Sequence, residues 1–288
     1  MKLALGTVQF GLNYGVANQH GQTSQDEARS ILGHARSNGM DMLDTAIAYG
    51  ESEERLGEIG IQDWHVVSKL PVVPETCGDV SRWVKDTLGK SFQRLKVKSL
   101  YGLLLHQPQQ LLGQDGERLY QAMQQLKRDG FVQKIGISIY DPAELDVLCS
   151  RYQFDIVQAP FNIMDRRLID SGWLSRMPER GIEFHVRSVF LQGLLLMPSS
   201  NRPDKFNRWA SRWSKFESWL TQSGLTPLQA CLRYAVSFSE VNKVIIGVDN
   251  LTQLKEIFQS TAGPVPEVPR ELQVYDADLL SPTRWASL

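Results

Sequence analysis

An α/β chain closing into a (β/α)8 barrel, the TIM-barrel architecture, is what the sequence predicts. Three observations carry that expectation. Eight short apolar runs of strand length recur along 288 residues. Several of them are continuous rather than alternating, as in strands covered on both faces by helices. The stretches between them have helical period, and eight strand–helix units in a chain of this length make a barrel. The rival arrangement, an open doubly wound sheet, usually announces itself by G-x-G-x-x-G after the first strand. Here the first strand leads into Gly6-Thr7-Val8-Gln9-Phe10-Gly11, which does not match.

In chain order the expected strands are residues 3–5, 41–43, 65–68, 100–105, 132–137, 156–158, 182–186 and 243–246. The first helix starts at Ser24, where Glu27 makes a capping-box pattern. It runs along Ala28, Ile31, Leu32 and Ala35 to a stop at Gly39. Further helices are expected over about 78–94, 115–129 and 142–149. Two segments break the rhythm. After the seventh strand an extra helical insertion runs from Gln192 to about Gln222. In it Phe206, Trp209, Trp213 and Phe216 recur at steps of three and four, a stripe that packs against the barrel. Beside it, Lys205, Arg208, Arg212 and Lys215 read as a solvated face, or as a face towards a pyrophosphate or anionic substrate. The second departure is an irregular, proline-rich C-terminal tail from Thr261, in which Trp285 either closes over the site or anchors the tail. With no low-complexity linker and no further repeat, residues 1–288 read as a single barrel domain.

Composition excludes several function classes. Apolar residues make up 42% and charged residues 22%, which is ordinary for a folded globular chain. Lys plus Arg number 31 against 32 for Asp plus Glu, so nothing electrostatic favours nucleic acid or an anionic membrane as partner. Cys77, Cys149 and Cys231 stand far apart, and His20, His34, His65 and His185 form no cluster; no metal site or disulfide framework is expected. No apolar run reaches the roughly 18 residues of a membrane span. The opening MKLALGTVQFG is broken too early by Gly6 for a signal peptide. The expected location is the cytoplasm.

In such a barrel the chemistry sits at the C-terminal ends of the strands. Asp44 closes the second strand, Tyr49 follows in the loop, Lys69 closes the third and His106 the fourth. Asp44 and Lys69 are expected to pair. A tyrosine titrates near pH 10, too high for easy proton donation at neutral pH. An ammonium beside it lowers that value and makes a better general acid. His106 is placed to hydrogen-bond a substrate oxygen. Together the four suit delivery of a proton to a carbonyl oxygen as its carbon receives a hydride. No side chain supplies hydride, so a nicotinamide cofactor is implied.

These residues also carry a resemblance. Leu43-Asp44-Thr45-Ala46-Ile47-Ala48-Tyr49-Gly50-Glu51-Ser52-Glu53, followed by Leu56-Gly57, resembles the D-T-A-x-x-Y-G-x-S-E-x-x-L-G signature of the aldo-keto reductases. Ser68-Lys69 and Leu103-Leu104-Leu105-His106-Gln107-Pro108 are similar to that family's S-K and L-L-H-x-P. The family is a (β/α)8 barrel that reduces aldehydes and ketones, usually with NADPH. The resemblance implies a catalytic tetrad of Asp44, Tyr49, Lys69 and His106, with Tyr49 as acid. It implies cofactor contacts at Gly6, Thr7, Ser138, Gln158, Arg187, Ser188, Gln192, Gly193, Gly247 and Gln253. Arg187 stands where the family often has a tyrosine that stacks on nicotinamide. The helix N-terminus after the eighth strand suits a phosphate. Asp249 stands where a small polar or basic residue often holds the 2′-phosphate, and Ile257 where an adenine-contacting Asn is usual. A carboxylate facing that phosphate repels it, so the implied cofactor is NADPH, with NADH left open as the alternative.

The reading is NAD(P)H-dependent reduction of a small-molecule carbonyl to an alcohol, with Tyr49 as general acid. Two others stay open from the sequence. One is a catalytically weak, cofactor-binding regulatory subunit, as in the potassium-channel β subunits that resemble the family. The other is a sugar isomerase or epimerase working through transient hydride transfer.

Overall fold

The computed structural model describes residues 1–288. Eight parallel strands pair in chain order: β1 (Leu3–Gly6), β2 (Met42–Asp44), β3 (His65–Leu70), β4 (Leu100–Leu105), β5 (Val132–Ser138), β6 (Ile156–Pro160), β7 (Glu183–Arg187) and β8 (Val241–Gly247). β8 pairs with β1, with Leu3 opposite Val244 and Gly6 opposite Gly247, so the barrel is closed. All eight expected strands are present. Most run further toward their C-terminal ends than their apolar residues alone indicate, as β1 does to Gly6, β2 to Asp44 and β7 to Arg187. Backbone groups at the rim still need partners, so the ladder continues through polar residues.

Strand alternation decides what faces the lumen. Ala4, Met42, Val67, Leu104, Ile156 and Ile245 form a small inner cluster, separate from the 73-residue core between strands and helices. Two residues further along each strand, on the same face, lie Gly6, Asp44, Lys69, His106, Gln158 and Gly247. One period-two pattern therefore fills the barrel with apolar layers and then sets a polar ring at its mouth.

The outer layer includes α1 (Gln25–Ser37), α2 (Ser52–Ile59), α3 (Val80–Leu95), α4 (Gly116–Arg128), α5 (Ala143–Arg151), α6 (Trp173–Glu179), α7 (Ala210–Ser223), α8 (Pro227–Ser237) and α9 (Leu251–Thr261). Ser24 caps α1 as expected, its hydroxyl accepting from Glu27 N. The reciprocal half of the capping box is not made. The Glu27 carboxylate instead accepts from Leu251 N, the first residue of α9. That donor is one of the N–H groups a helix start leaves unpaired, and the barrel seam brings it alongside α1. A full capping box does occur at α8, between Thr226 and Gln229.

The insertion after β7 begins with short 3₁₀ turns and ends in α7, and Phe206, Trp209, Trp213 and Phe216 are all buried. Neither expectation for the neighbouring basic stripe holds in full, because three of its residues grip the tail. Lys205 Nζ donates to Trp285 O at 2.7 Å, and Arg212 donates to Glu271 O at 2.7 Å. Arg208 lies 3.6 Å from the Asp276 carboxylate and 3.4 Å from that of Asp278. Trp285 packs edge-on against Phe206, with ring centroids 4.9 Å apart, and so anchors the tail. No helix is long and apolar enough to cross a membrane.

Candidate active site

The four residues singled out by the sequence meet at the barrel mouth. Lys69 is 1% exposed. Its Nζ donates to Asp44 Oδ1 at 2.6 Å and to Thr45 O at 2.9 Å, and lies 3.5 Å from Tyr49 Oη. The second Asp44 oxygen accepts from Gln158 Nε2 at 2.7 Å, and Gln158 Oε1 accepts from Ser138 Oγ at 3.2 Å. Tyr49 and His106 stand edge to face with centroids 5.8 Å apart. The loop that carries Tyr49 is tied down by Ser52, whose hydroxyl reaches Thr7 and Thr45. Its backbone also packs on Gly11: a Cβ there would fall 1.7 Å from Tyr49 O. The glycine is thus required by the position of the tyrosine.

The electrostatics differ from the expectation in one respect. Burial is the largest influence on the Tyr49 phenol, and it raises the pKa above the ordinary value of 10. Lys69 pulls the other way, but Asp44, paired to that ammonium, cancels part of its field. The phenol is therefore held protonated rather than made unusually acidic. Burial lowers the Lys69 pKa, but the Asp44 carboxylate and the Tyr49 hydroxyl together outweigh it and keep the ammonium charged. His106 falls from 6.5 to about 4, through burial first and then the charges of Lys69 and Arg187. Its imidazole is neutral at ordinary pH.

A cleft of about 720 Å³ crosses the mouth of the barrel and contains Asp44, Tyr49 and His106, with Lys69 behind its floor. All ten positions that the resemblance assigns to a cofactor line it. Gly6, Thr7, Ser138 and Gln158 lie at the strand ends; Arg187, Ser188, Gln192 and Gly193 follow β7; Gly247 and Gln253 belong to the β8–α9 segment. Ser188, Leu191 and Gln192 have φ of 58°, 49° and 53°. Three residues in the left-handed region, none a glycine, mark a loop held in a costly shape over the cleft. Gln192 Nε2 donates to Tyr14 Oη at 2.9 Å and joins this loop to the one after β1.

The sequence reading missed that second loop, which supplies Gln9, Tyr14, Asn18 and His20 to the cleft, and it missed Tyr140 after β5. Tyr140 could have been found by its place just past Gly136-Ile137-Ser138; the residues after β1 carry no comparable signal. Asn162 and Arg166, just after β6, are structural. Asn162 bonds to Ser188 O and accepts from the Met164 and Asp165 amides, and Arg166 donates to Ile163 O, Val268 O and Pro269 O.

At the start of α9, where the sequence suits a phosphate, part of the amide set is engaged within the chain. Leu251 N donates to Glu27, Gln253 N to Asn250 Oδ1 at 2.9 Å, and Asp249 N to Gln253 Oε1 at 2.8 Å. Asp249 itself lines the cleft, and burial raises its carboxyl pKa.

Comparison with known proteins agrees with this architecture. The Aldo/keto reductase family model matches residues 2–267. No match is found among curated protein sequences. An aldo-keto reductase of Bacillus halodurans, solved in its holo form, superposes with a TM-score of 0.73 at 20% identity, over 92% of this chain and 88% of that one. A glycerol dehydrogenase of Gluconobacter oxydans gives 0.68 at 19% identity, over 92% and 88%. At that identity the structural likeness speaks for the barrel, and the family model speaks for descent. The chain belongs to the aldo/keto reductase family, oxidoreductases of carbonyl compounds.

Proposed function

We propose that the protein reduces an aldehyde or ketone to an alcohol with a nicotinamide dinucleotide, NADH in preference to NADPH, and that Tyr49 gives the proton. One observation carries the reading. The Tyr49 hydroxyl lies 3.5 Å from a fully buried ammonium and beside a neutral imidazole, at the inner end of a long cleft.

The cleft fits a dinucleotide. Its size is in the range of ligand sites. Gly6 and Gly247 stand opposite each other on β1 and β8 and leave the floor bare of side chains. A Cβ on Gly247 would fall 2.6 Å from the Gln9 side chain, whose Oε1 is buried without a donor. That orphan acceptor suits a ligand N–H or O–H. Gly6, Thr7, Ser138 and Gln158 would border the nicotinamide end, Ser188, Gln192 and Gly193 the pyrophosphate, and Gly247 and Gln253 the adenosine. A bound dinucleotide would supply the hydride.

The chain's own residues do the rest. Tyr49 donates its proton to the substrate oxygen. Lys69, held by Asp44 and Thr45 O, stabilises the phenolate left behind. An N–H of His106 orients the carbonyl. Because His106 is neutral, it does not compete as an acid. Against a 2′-phosphate stand Asp249 and Glu256, both lining the cleft, while Arg187 is the only Lys or Arg in its lining. Two of the first three amides of α9, those of Leu251 and Gln253, are already satisfied within the chain.

Tyr49→Phe tests the assignment. Turnover of a reactive aldehyde falls by roughly 10²–10⁴, the usual worth of a general acid. The NADH dissociation constant stays within about threefold, as the substitution touches only the reacting end. Equal turnover by parent and variant refutes the role of Tyr49. Tight cofactor binding by a parent that reduces no member of an aldehyde panel favours the regulatory-subunit reading instead.

A further inference from the structure

Arg187 is a charge without a partner. It is the last residue of β7, half-buried, and it lines the cleft together with Tyr49 and His106. No carboxylate lies within 4 Å of it, whereas three other well-covered arginines have one: Arg94 has Glu53, Arg167 has Asp165, and Arg202 has Glu217. Buried Arg233 also lacks one, and its Nε donates to Ser260 O. Arg166 spends its guanidinium on three main-chain carbonyls.

The Arg187 guanidinium is nevertheless held in place. Nη2 donates to Ile139 O at 2.8 Å and Nη1 to Ser188 Oγ at 3.2 Å, and its carbon sits 4.4 Å from the centroid of the Tyr140 ring. Those contacts use two of its five N–H groups. They also aim the charge at the reacting end of the cleft: its field reaches Tyr49, Tyr14 and His106. The other charges there cancel. Asp44 and Lys69 form a closed pair and His106 is neutral, so one positive charge is left facing the substrate.

We propose that Arg187 is a specificity-determining residue that binds an oxyanion, carboxylate or phosphate, on the substrate itself. The physiological substrate is then an anionic carbonyl compound rather than a neutral aldehyde. A planar guanidinium fixed by a ring face and a main-chain carbonyl is preorganised for paired hydrogen bonds to such a group. The substrate class rests on the reductase reading; the oxyanion site does not, so the two are tested separately.

Binding comes first, with succinate and inorganic phosphate as unreactive probes, read by thermal shift at saturating NADH in the parent, Arg187→Met and Arg187→Lys. At least one probe raises the parent's melting temperature, Arg187→Met loses the shift, and Arg187→Lys keeps part of it. Which probe acts distinguishes carboxylate from phosphate. No shift from either probe overturns the proposal, whether or not the protein turns over aldehydes. A parent that binds a probe but reduces no carbonyl keeps the oxyanion site and sinks the reductase reading.

Steady-state rates follow, with butanal against succinic semialdehyde and glyceraldehyde against glyceraldehyde 3-phosphate. The parent favours the anionic member of one pair by about 10- to 100-fold in kcat/KM, the usual worth of a charge-assisted hydrogen bond. Arg187→Met collapses that ratio, mainly through KM. Parallel losses on both members of each pair overturn the proposal, as does a weakened NADH affinity with the ratio intact.

Discussion

Lys69→Met is the most informative single change, because it separates a buried ion pair from the phenol it serves. Methionine keeps most of the side-chain length and removes the charge. Asp44, 4% exposed, then keeps Gln158 Nε2 at 2.7 Å as its remaining side-chain donor, and Thr45 O loses its ammonium. Removing one member of a buried pair costs about 3–5 kcal/mol, since the other charge is left without compensation. At roughly 2–4 °C per kcal/mol for a large domain, the melting temperature falls by about 6–20 °C. Asp44→Asn strands the ammonium and costs a similar amount. The double variant carries neither charge, so it recovers a large part of the loss, with a coupling of at least about 2 kcal/mol. Urea unfolding followed by tryptophan fluorescence gives the four free energies of the cycle, and calorimetry gives the midpoints. If Lys69→Met lies within about 1 kcal/mol of the parent, or if the two losses simply add, the pair is not the closed unit described here and the support assigned to Tyr49 fails with it.

Three further outcomes follow. NADH binds at least tenfold more tightly than NADPH in fluorescence titration, and Asp249→Arg with Glu27→Gln narrows the gap by removing two carboxylates from the start of α9; equal affinities in the parent refute the reasoning. The acid form of Tyr49 is the active one and its pKa is raised, so reductive kcat/KM stays flat through the neutral range and falls only above about pH 10. On the acid side His106 gains charge only near pH 4, so a reductive profile with a limb at about pH 7 contradicts the electrostatics. Trp285→Ala empties a buried site beside Phe206 and costs about 3–5 kcal/mol in urea unfolding. Its kcat/KM at 20 °C stays within about twofold of the parent, as Trp285 does not line the cleft.

The strands and the candidate site residues were legible because both follow short-range rules. Apolar runs of strand length located all eight strands, and polar residues at their ends located Asp44, Lys69 and His106. Contacts that depend on barrel closure were not legible. Glu27 carries a local capping signal, yet its carboxylate serves Leu251, a residue that only tertiary structure brings near. The basic stripe reads as solvated on its helix, yet its partners lie about 60–80 residues further on in the tail. The Tyr49 pKa failed for a related reason. An ammonium next to a phenol argues for acidity, but burial and the Asp44 counter-charge are properties of the assembled mouth and not of spacing. Glycine positions such as Gly11 were also opaque, because their constraint is the close approach of a chain segment some forty residues away.

The cleft lies across the seam where the first strand meets the last. Gly6 and Gly247 face each other over it. On either side Lys2 reaches Phe238 O at 2.6 Å, Lys243 reaches Asp41 at 2.6 Å, and Thr23 reaches Asp249 O at 3.2 Å. A ligand lying there rivets the two ends of the polypeptide together. Any opening that starts by peeling β8 from β1 destroys the groove, so occupancy holds the barrel shut in proportion to the logarithm of ligand concentration. If that ligand is the proposed dinucleotide, its concentration sets how long each molecule stays folded as well as how fast it works.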